Sequence, residues 1–327
     1  MTGASPPAHP RFDAAVDLID AGDVEALRAL LAADPALVHA RTNLEPPFHY
    51  FSGATLLHHV AGNPDRGRLI GDKPPMPAIT PAIARVLLDA GADVDARTTG
   101  PNGGTTLGLL ITSKQASDAN VSGPLIDVLC EYGAHLSVTR PDDLDGPLAN
   151  HAPRAAERKI ELGARVEVIV AAALGRMEDL RAQFDANGRL IDVPVGRMRV
   201  RHARDAIGLA LLFAYVNGRR EAVDFLLEKD GNWNMIGVTN GTALHRAAWD
   251  GDLPIVERLV ALGADVANRE NPWSASPYAW ARHNDQAAVI DWMRTHDAMD
   301  LTDAVAFDHS DVAARLRAGG ARRGGDR

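Results

Sequence analysis

Three groups of side chains in this sequence are of types that catalysis or ligand binding uses. The first group is His49, His58 and His59, whose imidazoles could ligate a metal ion. The second is the segment GPNGG at 100–104, because glycine-rich loops can surround a phosphate. The third is RMRVRHAR at 197–204, whose planar guanidinium groups suit carboxylates and phosphates. Each group forms a site only if the secondary structure around it brings its members together.

The histidine and glycine groups lack the spacing that catalysis or metal binding requires. Adjacent residues of a helix point about 100° apart, so His58 and His59 are poorly placed to share an ion. The segment at 100–104 has neither the Lys nor the Ser or Thr of a phosphate-binding loop. Cys130, the single cysteine, lies in an apolar helical stripe, which is typical of a core position. No acidic residues pair in an apolar setting, so we expect no enzymatic activity, metal or cofactor.

The arginine group supports two interpretations. Arg197, Arg199 and Arg201 alternate along the chain, and in an extended segment alternate residues share one side. They would then form an anion-binding finger for a small anionic ligand or an acidic partner. A run of charges is more often a solvated loop, and aromatic residues are not interleaved here as nucleic-acid binding favours.

Composition favours a folded protein in a reducing compartment. Of the 327 residues, 46% are apolar and 24% are charged. Acidic residues outnumber basic ones by 43 to 34, and the net charge of −9 argues against general binding to nucleic acid or membranes. No apolar run follows MTGASPPAHPR, so we expect no signal peptide. No stretch approaches the roughly 20 apolar residues of a membrane span. One cysteine allows no disulfide within the chain, so we expect a cytoplasmic location. We also expect a monomer.

A periodic pattern indicates short helices. Ile255 and Leu259 lie eight and four residues before Gly263, so they share one helix face. Glycine can take the left-handed conformation that closes a helix, so we expect each helix to end there. Apolar residues stand at the same two offsets before four other glycines: Gly91, Gly133, Gly188 and Gly231.

A second short helix precedes the periodic one. In TALHRAAWDGDLPIVERLVALGAD, at 242–265, it covers about 243–250, with Thr242 as its N-cap and Gly251 in the turn that follows. Ala247 and Ala248 keep one face thin, so a neighbouring helix can approach. Helices this short are not stable alone in water, since isolated helices need roughly 12–15 residues. The helix pairs must therefore stack on one another.

This stretch resembles the ankyrin repeat. The resemblance rests on TALH at 242–245, the pair Ala247-Ala248, Gly251, and the Gly-Ala-Asp ending at 263–265. Degenerate copies extend it over about residues 11–321, with the weakest copies around 144–204. The resemblance implies an all-α ankyrin-repeat solenoid of about eight helix-turn-helix units with β-turn fingers, similar to bacterial cytoplasmic ankyrin-repeat proteins. Residues 1–10 are expected to be flexible and residues 322–327 disordered.

The same resemblance implies a non-catalytic adaptor that binds a partner protein on its concave and finger surface. Trp249 and Trp273 are the first candidates, because tryptophan dominates binding hot spots. Trp249 could instead fill a gap against the next repeat, and we expect Trp280 and Trp292 to pack at the C-terminal end. The other free positions after an Ala pair or at a finger tip are Val216, Asn217, Asn240, Asp250, His283 and Asn284.

The long first finger, at 43–52, is the second candidate surface. Its segment PPFHYF contains Phe48, Tyr50 and Phe51, an apolar tip that could dock a partner. It could equally fold down and cover its own repeat. Insertions at 62–80 and 113–123 both replace the turn between the helices of a repeat, so we expect them to project from one edge. Neutral variation in tolerant loops explains them as well.

Overall fold

The computed structural model of the chain is helical. It describes residues 9–42, 51–62, 76–99, 103–135, 145–149, 152–194, 199–237 and 240–323. Within these residues the only strand-like pairing is three isolated bridges, so there is no sheet. No helix in this part of the chain has the length and apolar character to cross a membrane. The chain divides into two compact units, Met1–Ala164 and Arg165–Arg327.

The first unit consists of short helices in consecutive pairs. Leu56, Leu57, Ile83 and Leu87 are fully buried, as the apolar spacing predicts. A 3-10 helix, Pro35–His39, follows the first pair. The α-helices are α1 (Phe12–Ala21), α2 (Val24–Ala33), α3 (Leu56–His59), α4 (Thr80–Asp89), α5 (Thr106–Ile111), α6 (Lys114–Asp118), α7 (Ser122–Glu131), α8 (Asp145–Ala149) and α9 (Pro153–Glu161).

The second unit repeats this arrangement. The predicted pair at 243–265 is present, and its first helix has the bounds expected from sequence. A complete helix pair also lies at the C-terminal end. The helices are α10 (Val168–Leu174), α11 (Met177–Ala182), α12 (Ala203–Val216), α13 (Arg220–Leu227), α14 (Ala243–Asp250), α15 (Leu253–Ala261), α16 (Pro277–His283), α17 (Ala287–Thr295), α18 (Leu301–Ala306) and α19 (Ser310–Arg323).

The caps of α14 confirm the local prediction. The Thr242 hydroxyl accepts a hydrogen bond from the backbone N–H of His245 at 3.3 Å, and the His245 ring accepts one from the backbone N–H of Thr242 at 3.2 Å. This reciprocal pair satisfies N–H groups that would otherwise be unpaired at the start of the helix. At the other end, Gly251 has φ 74° and reverses the chain into α15.

The prediction that each second helix ends at a glycine is confirmed in part. Gly91, Gly133 and Gly263 have φ of 96°, 88° and 86°, and each follows the C-cap residue of its helix, α4, α7 or α15. It is wrong for Gly188 and Gly231. Helix α11 ends at Ala182, so Gly188 lies in a separate turn. Helix α13 ends at Leu227, and Gly231 lies against the ring of Trp233, 2.5 Å from where a Cβ would stand.

The remaining expectations fall partly outside the described residues. Residues 1–8 and 324–327, and most of the first insertion, are among those the structure does not describe. The second insertion contains α6, and the Oε1 of Gln115 would lie 3.3 Å from a Cβ at Gly62, where the first insertion begins. Helix pairs α8–α9 and α10–α11 occupy much of the region where the pattern was weakest.

Candidate functional site

Three tryptophans converge on one cavity in the second unit. Trp249 comes from the end of α14, Trp280 from α16, and Trp273 from the loop that joins α15 to α16. The cavity has a volume of about 510 Å³. We call it the Trp pocket and define it by its lining residues: Arg246, Trp249, Trp273, Ala275, Ala279, Trp280 and His283.

The aromatic rings of the Trp pocket meet edge to face. The ring of Trp280 lies 5.8 Å from that of Trp249 and 5.6 Å from that of Trp273, measured between centroids. This geometry is favourable for aromatic pairs. Trp280 is only 5% exposed and forms the floor, whereas Trp273 is 64% exposed and forms the outer wall. His283 stacks on Trp249 at 5.4 Å, so Trp249 both packs on the next helix pair and lines the pocket.

A buried histidine holds the loop that carries Trp273. His245 Nδ1 accepts from the backbone N–H of Thr242, so the ring proton is on Nε2. Nε2 therefore donates to the carbonyl oxygens of Asn268 and Ala275, each at 3.1 Å. Burial lowers the pKa of His245 to about 4, so the ring is neutral at pH 7.

Asn271 fixes the same loop from within. Its side-chain oxygen accepts from the backbone N–H groups of Trp273 and Ala275, both at 3.2 Å, and its amide donates to the Ala275 carbonyl at 2.7 Å. Ser274, between them, has φ 49°. The backbone of Trp273 is thus held in place while its ring remains exposed. Such preorganisation reduces the entropy that a partner must remove on binding.

The predicted residues around Trp249 also lie together. The side chains of Asn284 and Gln286 donate to the Trp249 carbonyl oxygen at 2.8 and 2.9 Å. Asp250 is exposed and lies 3.9 Å from Arg246. Asn284 therefore supports the wall of the Trp pocket from behind, through the backbone of Trp249.

The other predicted positions lie outside the lining of the Trp pocket. Asn240 is exposed, with φ 59°, and lines a second cavity of about 650 Å³. Val216 and Asn217 are half-buried at the end of α12, where the Asn217 amide donates to the Phe213 carbonyl at 2.9 Å. The second cavity is lined by Arg199, Ile236, Gly237, Asn240, Arg269, Glu270, Asn271 and Pro272.

The aromatic tip of the first finger does not present Phe51. Phe48 and Tyr50 lie outside the described residues. Phe51 is fully buried, with its ring 4.9 Å from that of His59 and 6.5 Å from that of His58. The expected exposed contact at Phe51 is corrected to a core residue, because folding an aromatic ring onto its own repeat removes apolar area from water.

At Arg199 the arginine finger departs from the extended geometry that its alternation requires. Arg197 lies outside the described residues, and Arg199 has φ 69°, so Arg199 interrupts the extended geometry. The Arg199 guanidinium lies 3.9 Å from Glu270, a carboxylate that competes with an added anion. Arg201 is exposed, and its backbone N–H donates to Asp205 at 3.1 Å.

Four lining residues of the Trp pocket escaped the sequence analysis: Arg246, Ala275, Ala279 and Trp280. Trp280 was expected to pack at the C-terminal end, and Arg246 was not considered. A spacing signal was present: Arg246 and Trp280 each stand four residues after an N-cap, Thr242 or Ser276. Equivalent positions on adjacent helices of a repeat array face the same surface. Trp249 and His283 form a second such pair, seven residues after the same caps.

Comparison with known proteins identifies one repeat in the second unit. The ankyrin repeat family model matches residues 239–271, which include α14 and α15. The human ASB11 ankyrin repeat domain is similar at 19% identity and a TM-score of 0.37, over 82% of this chain and 90% of that chain. The ankyrin repeat domain of Bcl-3, a unique member of the IkappaB protein family, is similar at 19% identity and a TM-score of 0.31, over 90% of this chain and 100% of that chain.

No curated protein matches the chain. The family match includes two lining residues of the Trp pocket, Arg246 and Trp249, and the other five lie C-terminal to it. This chain therefore carries an ankyrin repeat at residues 239–271.

Proposed function

We propose that this chain is a non-catalytic adaptor that binds a partner protein through the Trp pocket. Ankyrin repeats generally mediate protein–protein interaction, and the family match includes the helix that carries Trp249. The single observation that carries the proposal is the placement of three indole rings around one open cavity. Tryptophan is enriched among residues whose truncation costs about 2 kcal/mol or more of binding energy.

The exposure of Trp273 is the strongest support for a partner-binding role. A tryptophan that is 64% exposed contributes little to burial in the free protein, yet its loop is held by His245 and Asn271. Ordering a loop costs conformational entropy. Burial of the exposed Trp273 ring against a partner would offset that cost. Asn284 and Gln286 hold Trp249 in the same way.

The alternative is a sensor of a small anionic ligand through the arginine finger at 197–204. The geometry offers it less support, because Arg199 lies near Glu270 and is not in an extended segment. Thermal unfolding distinguishes the two functions. Inorganic phosphate would raise the unfolding temperature of an anion sensor, and the double substitution Arg199→Ala with Arg201→Ala would remove that increase.

The test is quantitative capture from the native lysate with the full chain as bait. Wild type and Trp273→Ala are compared, since truncation of an exposed side chain leaves the fold intact. We expect at least one protein to be enriched with wild type and depleted about tenfold or more with Trp273→Ala. Trp292→Ala serves as the matched control, because Trp292 stacks on His296 and lies outside the lining of the Trp pocket.

A set of captured proteins that is the same for wild type and Trp273→Ala would contradict the proposal. Loss of captured proteins with Trp292→Ala alone would place the binding surface on α17 instead. Both variants are first checked by thermal unfolding, so that misfolding is not mistaken for lost contact.

A further inference from the structure

The Trp pocket contains an arginine whose hydrogen-bonding capacity is not used. Arg246 lines the cavity, and its side chain is 28% exposed. Its Nε is buried and, among the described residues, has no hydrogen-bond partner. A guanidinium carries five N–H donors, so the exposed part of this side chain can still donate to an acceptor in the cavity, although the buried Nε cannot be reached.

Asp250 does not neutralise this arginine fully. Its carboxylate lies 3.9 Å from the Arg246 guanidinium, beyond hydrogen-bond distance. The same carboxylate accepts a hydrogen bond from the Tyr215 hydroxyl, whose pKa is raised by burial and by the nearby Asp250 charge. Because the Asp250 carboxylate is shared between Tyr215 and Arg246, the Arg246 guanidinium can bind a second carboxylate.

The remainder of the wall is aromatic or apolar, which restricts the ligand further. Cages built from tryptophan alone attract cations through the faces of their rings. A guanidinium in the same wall repels a cation and attracts a carboxylate. The Trp pocket therefore suits a ligand with an apolar group for the indole rings and a carboxylate within reach of Arg246.

The surroundings of the pocket favour a peptide over a free small acid. Trp273 and Ala275 line the Trp pocket, while Asn271 and Pro272 of the same loop line the second cavity. The two cavities, of about 510 and 650 Å³, thus both adjoin one short loop. Each volume falls within the roughly 300–1,000 Å³ of ordinary ligand sites, so a small acid fills one, whereas an extended chain crosses both.

We infer, building on the proposed function, that the partner presents a peptide segment whose aromatic or large aliphatic side chain enters the Trp pocket and whose Asp or Glu, one or two residues away, pairs with Arg246. The net charge of −9 opposes acidic partners at long range. At physiological salt that repulsion is screened beyond about 8 Å, so local pairing with Arg246 decides specificity.

The test is selection of random dodecapeptides displayed on phage against the full-length chain. Parallel selections use wild type, Arg246→Glu and Arg294→Glu. The last is a matched control with the same charge change, because Arg294 is exposed on α17 and lies outside the lining of both cavities. Wild type and the control are expected to enrich sequences with an aromatic or aliphatic residue within two positions of an Asp or Glu.

Arg246→Glu is expected to replace the acidic residue in the enriched sequences with Lys or Arg. A synthetic peptide from the wild-type selection should bind wild type at least tenfold more tightly than its Asp→Asn or Glu→Gln version. Peptides that lose binding to Trp273→Ala but carry no acidic residue would overturn this inference and leave the proposed function standing. No enrichment, or enriched peptides that bind Trp273→Ala as well as wild type, would overturn both.

Discussion

The Nε2 of His245 lies 3.1 Å from the carbonyl oxygen of Ala275, and this hydrogen bond joins the first helix of one repeat to the loop that opens the next. His58 makes a similar but longer contact, 3.3 Å from the Gly104 carbonyl oxygen. In both cases a buried, neutral imidazole orders a loop. Around His245, the loop so ordered carries Trp273, so stability and the shape of the Trp pocket depend on one side chain.

Replacing His245 by alanine should destabilise the chain by about 3 kcal/mol. The substitution leaves the Asn268 carbonyl and the buried N–H of Thr242 without their His245 partner, and leaves the Ala275 carbonyl with the Asn271 amide alone. Each unpaired buried group costs about 1–3 kcal/mol before water relieves it. Urea unfolding monitored by circular dichroism measures the change. His283→Ala, at an exposed ring, should change the free energy of unfolding by less than about 1 kcal/mol. Equal midpoints for the two variants would show that His245 does not hold the loop.

Stability should fall as the pH is lowered from about 6.5 to about 4. Burial lowers the pKa of His58 and His245 to about 4 in the folded chain, against an ordinary value of 6.5. Between these pH values the unfolded chain binds protons that the folded chain does not, so the free energy of unfolding rises with pH. Each histidine adds a slope of up to about 1.4 kcal/mol per pH unit. Urea unfolding at a series of pH values measures the slope.

A second titrating group acts in the opposite direction. Burial raises the pKa of the Asp303 carboxyl, so protonation of this group in the folded chain adds stability as the pH falls. The comparison of wild type with His245→Gln isolates the histidine, because both chains contain Asp303. The stability advantage of wild type should shrink as the pH is lowered from 6.5 to 4. An advantage that is independent of pH would mean that His245 keeps its ordinary pKa.

Two glycines inside helices should respond oppositely to alanine. A Cβ at Gly208 in α12 would lie 1.9 Å from the carbonyl oxygen of Asn232, so the backbone must move and Gly208→Ala should cost more than about 2 kcal/mol. Gly108 in α5 is exposed, and its nearest neighbour would be the Thr105 hydroxyl at 3.5 Å. Gly108→Ala should therefore stabilise by about 0.5–1 kcal/mol. Thermal unfolding of both variants checks the signs, and the same sign for both would contradict these contacts.

The last helix pair should depend on Arg269. Its guanidinium contacts Asp300 at 2.5 Å and Asp303 at 2.7 Å, and the Asp303 side chain is only 5% exposed. Arg269→Ala leaves a buried carboxylate unpaired, which should destabilise α18 and α19 by about 2 kcal/mol. Hydrogen exchange should accelerate there and not in α14. Arg294→Ala, which removes an exposed ion pair, is the control, and equal exchange in both variants would exclude a role for Arg269.

The local structure of the best-preserved repeat was predictable because several signals agree there. Thr242, Gly251 and Gly263 each occupy the cap or turn position that the sequence indicates. The same reasoning wrongly placed helix ends at Gly188 and Gly231, because glycine also occurs in separate turns and at close contacts. The ring of Trp233 lies against Gly231, and a local sequence pattern cannot predict such a contact.

The site residues that could be predicted are those whose position within a single repeat leaves the side chain free. Trp249 and Trp273 stand at positions that the repeat leaves free. Trp280 contacts both rings through packing between adjacent helices. Its role can be predicted only by comparing equivalent positions in neighbouring repeats. Phe51 shows the opposite error, since an apolar loop residue can contact a partner or its own core and composition does not distinguish the two.

The measurement that tests the central claim most directly is the dissociation constant of the captured partner for wild type and for Trp273→Ala, determined by titration calorimetry on chains of equal thermal stability. If the Trp pocket is the binding surface, Trp273→Ala should weaken binding about 30-fold, as loss of roughly 2 kcal/mol implies. Equal dissociation constants for the two chains would contradict it.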